Sequence, residues 1–432
     1  MADTFTVVSV VLGGLLIVLA SGLWIALGLA GIGLLVFYLY LPPSMLRMVE
    51  VIPYNILNDF ILGAIPLFIF MGSLLYKGDI ARRIYQSLGR WAPVLPGGLL
   101  QTNIMACGIF GACSGSSLAG AATIGTVAVD ELRQQGYNRK LIYGSLAAGG
   151  TLATMIPPSI LFIIYGAFAG QSVAKLFIAG ILPGLLLMLL FMLYIGIKAV
   201  TTPDIAPKRQ PLQLKAVVLS LVELWPALLL IVAVLGSIYT GIATPTESAA
   251  MGTFGALLVL AVDRNLRWSV VKEAAVMAVR TTCMISLMMI GAQILSMGLS
   301  VLQVPASISQ YIGGLGLEPW QIAVMVGLFF VVLGCFIEGT SMFFLTFPVI
   351  YPMMMDMGFN PIWFGVMMAL FIEISLITPP VGLNLFIIHQ VSGEKSMRST
   401  IQGALPFFFL MLLLVGLLIA FPSIVLFLPS LL

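Results

Sequence analysis

The chain has 432 residues, of which 61% are apolar and only 8% are charged. This composition, with apolar runs of membrane-spanning length from end to end, excludes a soluble domain and predicts an all-α polytopic membrane protein. A transmembrane barrel would show short alternating segments, which the sequence lacks. The net charge of +3 decides little by itself, because the positions of the charges carry the information.

Hydropathy over windows of membrane-spanning length predicts a series of helical spans. In chain order they are residues 5–20, 22–41, 60–76, 141–168, 175–197, 217–240, 249–262, 282–302, 363–390 and 401–421. Two further apolar stretches, 99–128 and 321–350, remain to be placed.

The lysines and arginines place these two stretches. Of the 19 basic residues, all but Arg47 and Lys175 fall in short segments between the spans, namely 77–98, 128–140, 198–215, 263–280 and 391–400. Loops rich in Lys and Arg lie on the cytoplasmic side. The segments share that side only if 99–128 and 321–350 each enter and leave on the same face. The sequence therefore predicts two re-entrant helical hairpins, the first opening to the cytoplasm and the second to the outside.

The order of motifs repeats along the chain. The matching pairs are 136–138 (GYN) with 358–360 (GFN) and Pro157-Pro158 with Pro379-Pro380, both 222 residues apart, and 114–117 (SGSS) with 338–341 (EGTS), 224 apart. The charge distribution gives the two halves opposite orientations. An inverted repeat with interrupted helices is the architecture of secondary transporters, whose binding site lies between the repeats.

Each half also contains a short amphipathic stretch, and we expect these stretches to be arms. Hairpins and broken spans must move together to keep their backbone groups bonded. The predicted organisation is a transport domain (60–168 and 282–390), a scaffold (1–41, 175–262 and 401–432) and arm helices between them (43–58 and 264–280).

The paired prolines interrupt the most hydrophobic parts of the chain. Proline removes a backbone donor and breaks a helix, and non-helical backbone at membrane depth is tolerated only inside protein or beside a wet cavity. One such pair would be interpreted as a plain kink. Two proline pairs at equivalent positions of the repeat, each facing a hairpin tip rich in Ser and Gly, favour a binding site. Carbonyl and hydroxyl oxygens suit a small hard cation such as sodium, and helix N-termini suit an anion. The pattern predicts two cation sites that flank one anion site.

Several long stretches carry a family resemblance. They are GACSGSSLAGAATIG (111–125), GTLATMIPPSILFIIYG (150–166), YTGIATPTESAA (239–250), CFIEGTSMFFLTFPVIYP (335–352) and EISLITPPVGLNLF (373–386). In order and spacing they resemble the large membrane subunit of tripartite ATP-independent periplasmic (TRAP) transporters. The family is similar in turn to the divalent-anion sodium symporters.

The resemblance implies an elevator-type, sodium-coupled importer of a small organic acid anion, either a carboxylate or a sulfonate. It implies two or more sodium ions as co-substrates, no organic cofactor and a multi-pass location in the bacterial inner membrane. The implied partners are a periplasmic substrate-binding protein and a small four-helix membrane subunit on a separate chain. No nucleic-acid partner is expected.

The family pattern, carried over residue by residue, implies the binding residues. The expected sodium ligands are Ser114, Gly115 and Ser116 with backbone near Pro157 for one site, and Gly339, Thr340, Thr378 and Gly382 for the other. The expected substrate ligands are Ser117, Ser159, Glu338, Ser341 and Asn384. Some sialic-acid members carry an acid three residues after SGSS; position 120 is a glycine here, which argues against sialic acid.

Two acidic residues fall within predicted membrane segments, where an acid is a functional candidate. Glu338, at the second hairpin tip, could bind a further cation or order a gate, or it could cap the half-helix that follows. Glu373, five residues before Thr378, is expected to be a buried hydrogen-bonding acid.

Other function classes suit the sequence less well. A stand-alone divalent-anion/sodium symporter is the nearest alternative. The sequence has no Gly-Lys dipeptide and hence no P-loop for an ATP-driven pump. An intramembrane serine protease would need a GxSG turn, but residues 112–115 read ACSG, and its base would have to be His389. A channel is disfavoured by hairpins that open from opposite faces.

Overall fold

The structure, a computed structural model, describes residues 4–202, 205–207, 217, 220 and 222–431. Over these residues the chain is helical and contains no strand. The α-helices of the first half are α1 (Thr4–Ser21), α2 (Ile25–Tyr40), α3 (Leu46–Leu57), α4 (Ala64–Lys77), α5 (Ile80–Gly89), α6 (Leu99–Ser114), α7 (Ser117–Gln134), α8 (Arg139–Met155), α9 (Ile160–Ala169) and α10 (Val173–Thr201). Those of the second half are α11 (Trp225–Tyr239), α12 (Pro245–Val262), α13 (Trp268–Val301), α14 (Val304–Gly313), α15 (Pro319–Gly334), α16 (Gly339–Asp356), α17 (Pro361–Leu376), α18 (Leu383–Ser392), α19 (Arg398–Ala420) and α20 (Ser423–Leu426).

The helices support a multi-pass membrane protein. Among the described residues, those that are long and apolar enough to cross a membrane are Arg139–Ala169, Val173–Thr201, Pro245–Val262, Trp268–Val301 and Arg398–Ala420. The pair Pro43–Leu57 and Ile61–Lys77 also qualifies together, bent by 49°. Shorter apolar helices, α1 and α2 among them, lie at other predicted spans. The basic segment 198–215 and the start of the predicted span 217–240 lie largely outside the described residues.

A helical hairpin followed by a broken helix occurs in each half. Helices α6 and α7 are joined by Gly115 and Ser116 and contact each other; we call this pair the first hairpin. Helices α15 and α16, joined by residues 335–338, form the second hairpin. The hairpins extend beyond the predicted bounds, to 99–134 and 319–356. Helices α8 and α17 end just before the proline pairs, whose Pro157-Pro158 and Pro379-Pro380 bonds are cis. That the repeats are inverted, and that the hairpins are re-entrant, stay predictions.

The second arm differs from its prediction. The hydropathy pattern predicted an arm at 264–280 and a separate span at 282–302, but α13 runs without interruption from Trp268 to Val301. The physical reason is that no proline or glycine occurs between Trp268 and Ile290 to end the helix. In the first half, α3 ends at Leu57, and the Asp59 side chain accepts a 2.8 Å hydrogen bond from the amide of Ile61 across the bend. Helices α5 and α14 were not predicted.

The half-helices that precede the proline pairs lie at the centre of the molecule. Every residue from Leu141 to Met155 in α8, and from Ile362 to Leu376 in α17, is buried. Helices apolar on all sides belong in an interior. Around α8 pack α6, α7 and α10, together with α18 and α19 from the other half. The two halves of the chain therefore interlock around one core.

A second group of helices packs beside this core. Helix α13 lies against α2 and α4, α4 also contacts α12, and α12 contacts α11. The two groups meet where α4 touches α6 and where α13 touches α16. Helices α10 and α19 thus belong to the group around α8, beside the hairpins. Helices α4 and α13 belong to the other group. The predicted division into transport domain and scaffold concerns movement, and it stays a prediction.

Two glycines bring α8 and α19 into backbone contact. A Cβ atom on Gly144 would lie 2.1 Å from the Gly403 carbonyl oxygen, and one on Gly403 would lie 1.9 Å from the Lys140 oxygen. Neither neighbour is a side chain that can rotate away. Gly403→Ala should therefore force the helices apart and destabilise the protein by about 1–3 kcal/mol or more, measured as a lower melting temperature. The control is Gly416→Ala on the same helix, where no described atom lies within 4 Å. Equal melting temperatures for the two variants would contradict the close approach.

Candidate functional site

The first hairpin tip rests against the first proline break. Helix α6 ends at Ser114, and Gly115 follows with φ +63° in the left-handed region that glycine adopts most readily. A Cβ on Gly115 would lie 2.9 Å from the carbonyl oxygen of Pro158 and 3.3 Å from the amide nitrogen of Ile160. The tip and the break, separate in sequence, are therefore neighbours in the structure.

The serines of this tip have different surroundings. Ser116 is the N-cap of α7, and its Oγ accepts a 3.4 Å hydrogen bond from the amide of Ala119. The Ser114 side chain is only 5% exposed, and its Oγ has no hydrogen-bond partner among the described residues. Ser114 thus supplies a buried oxygen without a hydrogen bond to any described residue, at a point where α6 packs closely on Gly72 of α4, since a Cβ on Gly72 would lie 3.2 Å from the Ser114 Cβ.

The first break continues directly into a capped helix. Ser159 has an extended backbone, is completely buried, and its Oγ accepts from the amide of Phe162 at 3.5 Å. Helices α7 and α9 therefore both begin at serine caps, one at the tip and one at the break. Helix N-termini carry partial positive charge.

At the second hairpin tip a carboxylate occupies the helix N-terminus. Glu338 accepts hydrogen bonds of 2.9 Å from the amides of both Thr340 and Ser341. Of the two interpretations left open by the sequence, the structure shows the capping contact. The next residue, Gly339, packs on α17, since a Cβ there would lie 2.7 Å from Ile372 Cγ2.

The second break lies beside the second hairpin. The Sγ of Cys335 donates to the carbonyl of Pro379 at 3.3 Å. The Thr378 hydroxyl, two residues past the end of α17, donates to the Ile374 carbonyl of that helix at 2.7 Å. Gly382, with φ +43°, precedes α18, and a Cβ there would lie 3.0 Å from the Thr378 carbonyl oxygen.

A buried polar cluster joins the two halves. The Ser117 hydroxyl donates to Glu373 Oε2 at 2.7 Å and lies 3.0 Å from the Thr154 hydroxyl. Glu373 is 1% exposed, which confirms the prediction of a buried hydrogen-bonding acid. Asn384 of α18 donates from Nδ2 to the Ala147 carbonyl of α8 at 3.2 Å. Its Oδ1 has no partner among the described residues.

The expected substrate ligands are only partly brought together. Ser117 and Asn384 both lie against α8, where a Cβ on Gly150 would be 3.0 Å from the Ser117 carbonyl oxygen and 3.1 Å from Asn384 Nδ2. Ser159 caps α9, while Glu338 and Ser341 are bonded to each other at the second tip. Sequence reasoning missed the contacts of Glu373 and Thr154 with the first tip. The signal for Glu373 was its acidity within a membrane segment; Thr154 gave none.

An ionic cluster fastens the end of α18 to the other half. Glu394 pairs with Arg133 at 2.7 Å and Arg139 at 3.1 Å, and its Oε1 accepts from the Tyr143 hydroxyl at 2.9 Å. Arg133 also donates to the Tyr143 hydroxyl. The hydroxyl of Tyr143, followed by the charges of Arg133 and Arg139, lowers the pKa of Glu394. The carboxylate is therefore favoured at this end of the core.

Comparisons with known proteins agree with this architecture. The family profile described as "Tripartite ATP-independent periplasmic transporter, DctM component" matches residues 12–424. The C4-dicarboxylate TRAP transporter large permease protein DctM of Pseudomonas aeruginosa is 36% identical over 408 residues, with 94% of each chain covered. The isethionate TRAP transporter permease protein DctMQ of Oleidesulfovibrio alaskensis is 32% identical over 88% of this chain and 60% of its own length.

Two further similarities extend the comparison. The sialic acid TRAP transporter large permease protein SiaM of Vibrio cholerae is 31% identical, with 87% of each chain covered. The crystal structure of the Alcanivorax borkumensis YdaH transporter superimposes with a TM-score of 0.66, covering 93% of this chain and 98% of its own. At 16% identity this second likeness shows the fold alone. The family consists of transport proteins rather than enzymes, so the protease alternative is set aside. The chain belongs to the DctM component family of tripartite ATP-independent periplasmic transporters, as the large membrane subunit.

Proposed function

We propose that this chain couples sodium entry to the uptake of a small organic acid anion across the bacterial inner membrane. The observation that carries the proposal is the first hairpin tip, where Gly115 approaches the Pro158 carbonyl and the hydroxyl of the preceding residue, Ser114, is buried without a described partner. Oxygen ligands suit hard cations. A buried, unbonded hydroxyl costs about 1–3 kcal/mol, and a bound sodium ion would offset this cost. At the other proposed site, the ligands would be Thr340, the carbonyls around Gly339 and Gly382, and the Thr378 hydroxyl oxygen. This oxygen keeps its lone pairs for an ion, because the hydroxyl donates its hydrogen to the Ile374 carbonyl.

The proposed substrate is a carboxylate or sulfonate. The relatives reported above are named for C4-dicarboxylate, isethionate and sialic acid, all of which are organic acids. The residues at the tips and breaks include no Lys or Arg, so helix N-termini and neutral side chains would bind the anion. Glu338 already occupies the N-terminus of α16. We therefore favour Ser117, Ser159 and Asn384, beside α8, as the anion ligands.

The proposed partners follow from the tripartite family. A periplasmic binding protein would deliver the substrate, and a small membrane subunit on a separate chain would complete the membrane complex. The DctMQ relative is longer than this chain, which spans 60% of its length.

We propose that transport proceeds by an elevator movement of the group around α8 against the group that contains α4 and α13. This division differs from the sequence prediction, which placed α10 and α19 in the scaffold and α4 and residues 282–301 of α13 in the transport domain. We propose the change because α10 and α19 pack on α8, whereas α4 and α13 pack on each other. The hairpins and broken helices stay together and keep their buried backbone bonded. One of the two contacts that would move is between α13 and α16, where the Ser341 hydroxyl lies 3.7 Å from the sulfur of Met288.

Cysteine crosslinking tests this movement in a variant that lacks the native cysteines. Ser341→Cys is paired with Met288→Cys and, separately, with Leu295→Cys and Thr281→Cys, about two turns away in either direction along α13. We expect crosslinks from the Met288 pair and from one of the displaced pairs. Crosslinking of the Met288 pair alone would contradict an elevator.

Uptake in proteoliposomes tests the function. The chain, the small membrane subunit and the binding protein are reconstituted, and uptake of a labelled C4-dicarboxylate, isethionate and sialic acid is followed with and without an inward sodium gradient. We expect sodium-dependent accumulation of one of the first two, and counterflow of unlabelled substrate. Full uptake without the binding protein would support the stand-alone symporter instead. Substrate leak that depends on neither the sodium gradient nor exchange with unlabelled substrate would indicate a channel.

A further inference from the structure

A basic pocket lies beside the first turns of α13, away from the hairpins. It has a volume of about 630 Å³ and is lined by Lys77 at the end of α4 and by one face of α13: Ser269, Lys272, Glu273, Val276, Met277, Arg280 and Thr281. These α13 residues recur at helical spacing, so they form a continuous stripe. We call these residues the basic pocket.

The charges of the basic pocket are unbalanced. Lys77 pairs with Glu273 at 2.6 Å, so these two neutralise each other. Lys272 and Arg280 are exposed and make no ion pair or hydrogen bond with any other described residue. The pocket therefore presents two unpaired positive charges on one helix face, which suits an anionic ligand.

The position of the pocket along α13 points to a lipid rather than a soluble anion. With 34 residues, α13 is roughly 50 Å long, against about 30 Å for the hydrocarbon core of a bilayer. Its first turns must therefore reach the headgroup level. Trp268, 79% exposed at the start of the helix, is the kind of residue that lies at a membrane interface. The positive-inside rule places this end at the cytoplasmic face.

Beyond the charges, the same face of α13 stays exposed and is apolar. Val276 and Met277, 45% and 40% exposed, lie between Lys272 and Arg280, and Met284, 51% exposed, lies one turn beyond Arg280. A ligand that follows this face passes the two cations before it reaches Met284. That order matches a phospholipid, whose headgroup is anionic and whose acyl chains are apolar.

We propose that the basic pocket binds an anionic phospholipid of the cytoplasmic leaflet. Lys272 and Arg280 contact its phosphate, and its acyl chains run beyond Arg280 along Met284. The lipid would hold the first turns of α13 against the end of α4. The proposal is independent of the transported substrate and of its coupling ion.

The test is lipid-dependent stability of the delipidated full-length chain. Melting temperature is followed as phosphatidylglycerol or phosphatidylcholine with the same acyl chains is added to the detergent solution. A ligand that binds only the folded state raises the melting temperature. We expect phosphatidylglycerol to do so at much lower concentration than phosphatidylcholine. In Lys272→Gln/Arg280→Gln, half-saturation by phosphatidylglycerol should move to about thirtyfold higher concentration, or about fivefold for Lys272→Gln alone.

The matched control is Lys175→Gln/Lys198→Gln, which removes two exposed charges from the ends of α10. Its phosphatidylglycerol response should equal that of the wild type. If the pocket variant responds to phosphatidylglycerol as the wild type does, the proposal is overturned. Equal effects of phosphatidylglycerol and phosphatidylcholine on the wild type would also overturn it. Displacement of the lipid by inorganic phosphate or glycerol phosphate would assign the pocket to a soluble anion instead. Loss of the lipid response on adding the small membrane subunit would make the pocket a protein interface and also overturn it.

Discussion

Glu373→Leu is expected to lower the melting temperature and abolish uptake together, whereas Glu373→Gln should keep most of both. The carboxyl group is 1% exposed and accepts from the Ser117 hydroxyl at 2.7 Å. Leucine fills a similar volume but removes this acceptor, so the neighbouring Ser117 and Thr154 hydroxyls, 3.0 Å apart, have one acceptor fewer in a buried site, at a cost of about 1–3 kcal/mol. Glutamine retains an acceptor oxygen in the same place.

The effect on transport should exceed the effect on stability because of what the contact joins. Ser117 begins α7 at the first hairpin tip, and Glu373 lies on α17 in the other half. Its chain neighbour Ile372 packs against Gly339 at the second tip. Loss of the bond therefore loosens the position of one tip relative to the other. We expect uptake to fall by at least about tenfold for each 1.4 kcal/mol of lost positioning.

A double-mutant cycle separates this contact from general damage. Ser117→Ala in the Glu373→Leu background removes the stranded hydroxyl, so it should restore part of the lost melting temperature. Thr400→Ala serves as a control, because the Thr400 hydroxyl is buried but has no partner among the described residues. Additive effects of the changes at positions 117 and 373, with no recovery, would show that the bond contributes nothing.

The sequence predicted the local elements well because each had a local signal. The tip at Ser114 to Ser116 and the break at Pro157 are marked by Gly, Ser and Pro, whose backbone preferences act within a few residues. Asn138 and Asn360, at equivalent repeat positions, both cap the helices that follow them.

Tertiary pairings carried no such signal. Nothing in the sequence shows that Ser117 meets Glu373, because the two are 256 residues apart and the partner of Glu373 by repeat position is Thr151. The continuity of α13 was missed for a different reason. An amphipathic stretch followed by an apolar one was interpreted as two helices, although no residue there ends a helix. A change of polarity along a chain does not by itself stop hydrogen bonding from one turn to the next.

Ser114→Ala is expected to raise the sodium concentration for half-maximal uptake by about tenfold while leaving the protein at least as stable as before in sodium-free buffer. Tenfold corresponds to about 1.4 kcal/mol, a reasonable loss for one ion ligand. The stability prediction follows from the geometry. The Ser114 hydroxyl is buried with no described partner, so its removal breaks no protein hydrogen bond. Alanine at this position loses no hydrogen bond to a described residue, so a weaker response to sodium would point to a lost contact with the ion.

The neighbouring serine should behave differently, and the contrast identifies the ligand. Ser116→Ala removes the N-cap of α7, so it should cost about 1 kcal/mol of stability even without sodium. Ser237→Ala is the matched control: its hydroxyl is buried, is bonded to the Val234 carbonyl at 2.9 Å and lies on α11, away from both tips. It should lower stability and leave the sodium dependence unchanged. The measurements are uptake across a sodium series and melting temperature with and without sodium, for wild type and the variants at positions 114, 116 and 237. If Ser114→Ala leaves the sodium dependence at its wild-type value, this hydroxyl does not bind the ion. If it instead lowers the melting temperature without sodium, the hydroxyl has a structural role. Only a sodium-specific change, with stability preserved, places the ion at the first tip.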